Sequence, residues 1–256
     1  MPSSETGPDN DGATRPSDAG WPTGMRPPRL PVSAEVGGWR IEAHVGSGLW
    51  SDVYVGAGTL DGVPRRLALK AVQVADLPEA REAALREAHA LSSFRHRHLM
   101  RALAVWQEPR DSDLAGAVVF LMPLAELSLA DYIRGLAAGQ YGSRNLPAIC
   151  AGAAGIADAL GYLHSSRKAD GSGVVVHNDV KPGNVFQVDG QWLLGDLGIA
   201  SPPGRDSASA HAGSLSYLAP EYLSDPPAGR LPPGDVWAFG VTLHRWLTGD
   251  FPFPGD

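Results

Sequence analysis

From Trp39 onward the chain alternates between apolar and polar positions. The stretches "WRIEAHVGSG", "SDVYVGAG" and "RRLALKAVQV" carry apolar side chains at alternating positions and are separated by glycine or glycine–proline breaks. A period of two predicts half-buried strands and the breaks predict tight connections, so this region reads as an antiparallel meander. The segment "LPEAREAALREAHALSSF" then switches to Ala, Leu, Glu and Arg, with Pro78 placed for a first turn, and predicts a helix. Further strands are predicted at 102–106 and 117–121. From Leu127 helical spacing dominates. In "LPAICAGAAGIADALGYLHSS" the residues Ile149, Ala153, Ile156, Ala157, Leu160 and Leu163 fall on one face. Two short strands follow within "HNDVKPGNVFQVDGQWLLGDLG", then a Ser-, Pro- and Gly-rich loop, then a helix over "GDVWAFGVTLHRWLTG". No internal repeat is present. A small β-rich lobe followed by a larger helical lobe is an α+β arrangement with a cleft between the two.

Residues 1–36 are rich in Pro, Gly, Ser and Asp and poor in apolar side chains. Such a segment buries too little surface to offset its ordering entropy, so it reads as a disordered tail. The domain expected after it covers 37–256, with 37–124 forming the first lobe and the start of a hinge, and 125–256 forming the second.

The remaining bulk properties narrow the function classes. At 256 residues, 43% hydrophobic and 19% charged, the chain suits one globular unit or two small lobes. A net charge of -7 argues against nucleic acid as a partner, because phosphate binding needs a basic face. The run "RHRHLMR", 95–101, is a local exception and reads as a solvated loop after the predicted helix. Cys150 is the single cysteine, which rules out an internal disulfide and a Cys-rich zinc site. No apolar run is expected to span a bilayer, and the N-terminus lacks the basic and apolar regions of a secretory signal. The cytoplasm is therefore the expected compartment.

Three constellations carry candidate chemistry. In "VGSGLWSDVY", Gly46 and Gly48 sit between two predicted strands, where a backbone without Cβ atoms can approach a phosphate. A plain tight turn would look the same. Lys70 ends the apolar run "LALK", where an ammonium needs a partner unless the strand end is exposed. Glu79, Glu82 and Glu87 on the predicted helix are within reach. Glu87 is preferred because Leu91 and Phe94 extend its buried face at i+4 and i+7. The third constellation is the most specific. "HNDVKPGN" sets Asp179, Lys181 and Asn184 in a D-x-K-P-x-N order, and Asp196 follows in "GDLG". Carboxylates and an amide carbonyl are hard oxygen ligands suited to magnesium, and a lysine among them can neutralise charge on a transferred phosphoryl group.

Taken together these motifs resemble the eukaryotic-like protein kinase family, of the serine/threonine type common in bacteria. Besides the glycine loop, "LALK", "HND" and "GDLG", the chain carries "GSLSYLAPE" and "DVWAFG" in the family's order. The Ala-, Gly- and Pro-rich composition would suit a high-GC bacterium. The resemblance implies a bilobal kinase fold and phosphoryl transfer from ATP, with Mg2+, to a serine or threonine of a protein substrate. It implies that Lys70 holds the α/β-phosphates and pairs with Glu87, and that Asp179 accepts the substrate hydroxyl's proton. Lys181 would steady the γ-phosphoryl group, and Asn184 and Asp196 would hold the metal. Ser214 would bond the catalytic Asp and Lys. The glycine loop would bring Val45, Gly46, Ser47 and Gly48 to the nucleotide. The adenine pocket would take Val45, Val53 and Ala68 as roof, Phe186 as floor, Met122 as gatekeeper, and Pro123 to Ala125 as hinge.

Several departures modify that expectation. Ser51 replaces a third loop glycine, and Leu197 replaces a phenylalanine. Asn178 stands where the family has an arginine that pairs with a phosphorylated activation segment, so that switch is expected to be absent or different. "SSRKADGSG" reads as a surface insertion. The second lobe is expected to lack the family's last helices and, with them, an arginine partner for Glu221. Two other readings compete: an inactive pseudokinase or nucleotide-binding scaffold, and a small-molecule kinase of related fold. The segment "GSLSYLAPE" argues against the latter. No oligomeric state follows from the sequence.

Overall fold

The structure, a computed structural model, describes residues 28–48, 51–73, 85, 92–167, 173–197, 215–223 and 231–253. The first lobe is a six-stranded antiparallel sheet in the order β1-β2-β3-β4-β6-β5. Its strands are β1 (Glu35–Val36), β2 (Trp39–Ser47), β3 (Ser51–Leu60), β4 (Val63–Val72), β5 (Ala104–Gln107) and β6 (Val118–Pro123). The meander is therefore present. β3 and β4 are joined by Asp61-Gly62, both at positive φ (51° and 77°), which is the two-residue turn whose twist matches the strands.

Alternation along β4 and β6 separates two cores. Leu67, Leu69 and Ala71 of β4, with Val119 and Leu121 of β6, join Trp39, Ile41 and Tyr54 in an outer cluster. The intervening residues, Val72 of β4 and Val118 and Phe120 of β6, join the core of the second lobe. One face of this sheet thus closes its own lobe while the other roofs the cleft. A one-residue register slip would exchange the two faces.

The ordered lobe starts earlier than residue 37. Leu30 is buried and its backbone N–H donates to the Tyr54 hydroxyl. Val36 is buried too, and β1 pairs with β2. A short apolar contact and one extra ladder give residues 28–36 a place that composition did not reveal. The predicted helix over 77–94 falls largely outside the described residues.

In the second lobe, β7 (Leu127–Ser128), β8 (Val185–Val188) and β9 (Gln191–Leu194) form a small sheet. Asp189-Gly190 turns β8 into β9 with φ of 48° and 70°, the same turn chemistry as in the first lobe. Three α-helices are described: α1 (Leu129–Ala137), α2 (Leu146–Ser165) and α3 (Pro232–Thr248). α2 begins with Asn145, whose side chain accepts from Ala148 N–H, and Pro147 in the first turn. Its buried face holds Ile149, Ala153, Ile156, Leu160 and Leu163 as expected, but Ala157 is exposed and Ala159 is buried instead. The small residues Gly152 and Gly155 explain that rotation: a Cβ there would lie 2.6 Å from the Trp246 and His98 rings respectively. α2 is also long and apolar enough to cross a membrane, contrary to the sequence expectation, yet its apolar face packs in the central core. α3 ends at Gly249, whose φ of 94° suits a glycine that closes a helix. Of the insertion predicted from "SSRKADGSG", Ser165 ends α2, Ser166 caps it and Arg167 bridges to Val174, while 168–172 lie outside the described residues.

Candidate active site

The site is assembled where the first lobe's inner face meets the loop between α2 and β8. Cross-strand pairing sets Gly46, Val53, Lys70 and Phe120 in one row, and Val55, Ala68 and Met122 in a parallel row. Residues opposite one another share a face, so Lys70 and the expected pocket residues Val53, Ala68 and Met122 all point towards the cleft. Val45 is 59% exposed at the lip, and Pro123, Ala125 and Phe186 are half-buried. The Phe186 ring lies against Gly195, where a Cβ would come 3.0 Å from it. In the glycine loop, Gly48 N–H donates to Ser51 C=O at 2.7 Å, and the Ser47 hydroxyl donates to Asp52 at 2.6 Å. Ser47 is thus tied back to a fully buried carboxylate. Glu87 and Ser214 lie outside the described residues.

The loop of residues 175–184 is held from beneath by apolar and polar contacts together. Val175, Val176 and Val180 are buried. The carboxylate of Asp235, 2% exposed on the first turn of α3, accepts three hydrogen bonds: His177 N–H at 2.7 Å, Asn178 N–H at 2.8 Å and His164 Nε2–H at 2.8 Å. A buried carboxylate is tolerated because its lone pairs are occupied. The sequence reading assigned Asp235 and His164 no role. The signal available for Asp235 was its place in the motif "DVWAFG".

His177 is fully buried and links the loop to β9. Its Nε2 faces Gly195 C=O at 3.0 Å and therefore carries the proton, while Nδ1 accepts from Asp179 N–H at 3.3 Å. Burial pushes the imidazole below its ordinary value of 6.5 despite the nearby carboxylates Asp235 and Asp179, so the ring is neutral. Asn178 sits at φ 67°. Asparagine tolerates this left-handed conformation better than most side chains, because its short amide bonds locally; here it donates to Val176 C=O at 3.3 Å. Asn178 thus has a backbone reason to be where it is, besides lacking the charge of an arginine.

Contacts then run without a break from one candidate residue to the next. Lys181 Nζ donates to both oxygens of Asp179, at 2.9 and 2.7 Å. Asn184 Nδ2 donates to the Asp179 backbone carbonyl and to its Oδ2, at 2.7 and 2.8 Å. Gly195 N–H donates to Asn184 C=O at 2.8 Å, which fixes the residue before Asp196. Asp196, at φ 53°, forms an ion pair with Lys70. Burial alone would raise the Asp196 carboxyl, but the Lys70 ammonium beside it, with His177 and Lys181, outweighs this and holds it below 3.8. Five of the expected catalytic and metal residues, Lys70, Asp179, Lys181, Asn184 and Asp196, are therefore brought together. Lys70 thus pairs with Asp196 in the described residues, while its expected pairing with Glu87 lies outside them.

The "APE" segment forms a short 3-10 turn, Pro220–Tyr222, with Ala219 buried and Glu221 exposed. The run 95–101 is not wholly solvated. Leu99 and Met100 are buried, and His98 Nδ1 donates to Trp192 C=O at 2.9 Å.

A cleft lined by a lysine, two carboxylates, an amide and a glycine loop is suited to hold a polyphosphate and a divalent cation and to orient a hydroxyl. Comparisons with known proteins agree with that geometry. The family model for the protein kinase domain matches residues 39–256. The chain is 32% identical over 242 residues to a putative leucine-rich repeat receptor-like serine/threonine-protein kinase of Arabidopsis thaliana, covering 86% of this chain and 22% of that protein. It is 24% identical over 217 residues to the serine/threonine-protein kinase WNK of Caenorhabditis elegans, covering 84% and 11%. Over 104 residues it is 35% identical to the serine/threonine-protein kinase STK11 of Homo sapiens, covering 39% and 22%. The chain spans less than a quarter of the length of each of these relatives. With two lobes, a lysine–aspartate pair across the cleft and a family match over most of its length, this chain belongs to the protein kinase domain family.

Proposed function

We propose that the chain transfers the γ-phosphoryl group of ATP to a serine or threonine hydroxyl of a protein substrate. The observation that carries this reading is the unbroken series of contacts from Lys70 through Asp196, Gly195 and Asn184 to Asp179 and Lys181. In the reaction the substrate oxygen bonds to the γ-phosphorus and the bond to the ADP oxygen breaks. Asp179 takes the hydroxyl proton. Lys70 and Lys181 neutralise phosphate oxygens, and the work is placement and charge compensation rather than covalent chemistry.

The donor set fits magnesium. Asn184 directs its amide hydrogens to Asp179, which leaves its carbonyl oxygen for a cation, and Asp196 is anionic. Among the described residues no group of three or more His, Cys, Asp or Glu could hold a metal by itself. Two protein oxygens with the rest supplied by phosphates and water is the magnesium pattern. When bound, the ion neutralises charge on the phosphate oxygens. Asn184 and Asp196 would hold it.

The serine/threonine preference rests on the printed descriptions of the relatives and on Ser214 in "GSLSYLAPE". A bacterial source rests on composition alone, while the named relatives come from a plant, a nematode and a human. Labelled ATP, a generic protein substrate and acid hydrolysis of the product test the reading. Phosphoserine or phosphothreonine that disappears in Asp179→Ala supports it. A folded protein that binds ATP and transfers nothing is the nucleotide-binding scaffold instead.

A further inference from the structure

We propose that the cavity behind the hinge, rimmed by Arg95, Arg97 and Arg101, is a docking site for an acidic peptide segment of a partner protein. The cavity has a volume of about 370 Å³ and contains none of the residues placed in phosphoryl transfer, apart from the edge of the hinge at Pro123. Its three arginines are exposed, and none of them has an ion-pair partner among the described residues. His96, which also lines the cavity, pairs with Asp158 at 3.1 Å. In a chain of net charge -7, guanidinium groups gathered around one hollow form a strong local inversion of sign.

The floor of the cavity is aliphatic: Leu99, Pro123 and Leu193. Guanidinium forks match carboxylates in geometry, and an apolar floor takes a branched aliphatic side chain, so the fitting ligand has glutamates or aspartates flanking a leucine-like residue. Nucleic acid fits less well. It needs a basic track along its backbone and aromatic faces for stacking. Here the charge is confined to one hollow, and the His96 ring is already stacked on Tyr162, with centroids 5.2 Å apart. Arg95, Arg97 and Arg101 come from the end and aftermath of the predicted helix, while Pro123 and Leu193 come from β6 and the β9 hairpin. The site exists only once both lobes are folded.

The test is fluorescence anisotropy of a labelled Glu-Glu-Leu-Glu-Glu peptide with the full chain. The proposal expects saturable binding that weakens with salt, at least about tenfold weaker binding of Gln-Gln-Leu-Gln-Gln, and a similar loss in Arg95→Gln/Arg97→Gln/Arg101→Gln. Arg97→Gln alone should give part of the loss, which guards against a folding defect in the triple variant. Equal binding by wild type and the triple variant would overturn the proposal. So would tighter binding of an octathymidylate that the same substitutions abolish, since the cavity would then be a nucleic-acid site.

Discussion

The loop of residues 177–184 and the cavity rimmed by Arg95, Arg97 and Arg101 are both rich in charge, and they treat it in opposite ways. In the loop, the charged groups bond one another and the backbone: Asp235 holds two loop amides, His177 reaches Gly195, and Asp179 is bracketed by Lys181 and Asn184. In the cavity, the arginines stand exposed, without an ion-pair partner among the described residues. Saturated polar contacts in a buried setting fix atoms to a fraction of an ångström, as transfer of a phosphoryl group requires. Unsatisfied, solvated cations keep their freedom and gain by meeting an oppositely charged partner. Precision and receptivity are thus separated in space.

Substitutions in the loop should therefore have large effects that decline with distance from the reacting atoms. Asp179→Asn keeps the shape of the side chain and removes its proton acceptor. Transfer should fall by about 10²–10⁴-fold in steady-state assays, while nucleotide binding changes little. Asp235→Asn sets an amide NH2 against backbone donors in a buried place. It should cost about 3–5 kcal/mol of stability by urea unfolding and lower activity without touching substrate. A variant as stable as wild type would show that the loop does not depend on α3.

Backbone conformation offers a finer test. Asn178→Val puts a β-branched side chain at φ 67° and should destabilise by about 1–3 kcal/mol. Asn178→Gly should stay within about 1 kcal/mol of wild type. If valine were tolerated equally, the conformational reason for Asn178 would be withdrawn.

The buried, neutral His177 makes stability depend on pH. Its folded-state pKa lies below 6.5, so the unfolded chain takes up this proton first as pH falls. The contribution is full above about pH 6.5 and declines as pH drops towards the folded-state value. The slope is at most about 1.4 kcal/mol per pH unit for a single proton. Melting curves of wild type and His177→Gln between neutral and mildly acidic pH should diverge in slope accordingly. The smallest effect is expected at the activation segment. Alanine at Ser201, Ser207, Ser209 and Ser216 should leave activity unchanged, because Asn178 offers no cation to a phosphate there. Activity that is lost and then restored by acidic replacements would contradict this. Ser214 is to be measured separately.

Local signals in the sequence were easy to read where they repeat. Alternation along β2, β3 and β4 revealed the meander, and the order of Asp179, Lys181, Asn184 and Asp196 revealed the chemistry. Alternation does not say which face meets which core, so the division of β4 between two clusters needed coordinates. Asp235 accepts from backbone amides 57 and 58 residues away and from the His164 imidazole 71 residues away, and no short pattern encodes such contacts. Residues 28–36 resemble the preceding tail in composition, yet Leu30 and Val36 find a buried place. Ala157 and Ala159 are equally apolar, and only the neighbouring indole and imidazole rings decide which is buried. The arginine cavity joins segments that are distant in sequence, which is why 95–101 read as an ordinary solvated run.

The central claim is that Lys70, Asp179, Asn184 and Asp196 form one site for a metal-bound triphosphate. Calorimetric titration with a non-hydrolysable ATP analogue, with and without Mg2+, tests it most directly in wild type and Asp196→Asn. Magnesium should tighten binding at least about tenfold in wild type and have little effect in the variant. An equal magnesium effect in both proteins, or binding indifferent to magnesium in wild type, would contradict the account.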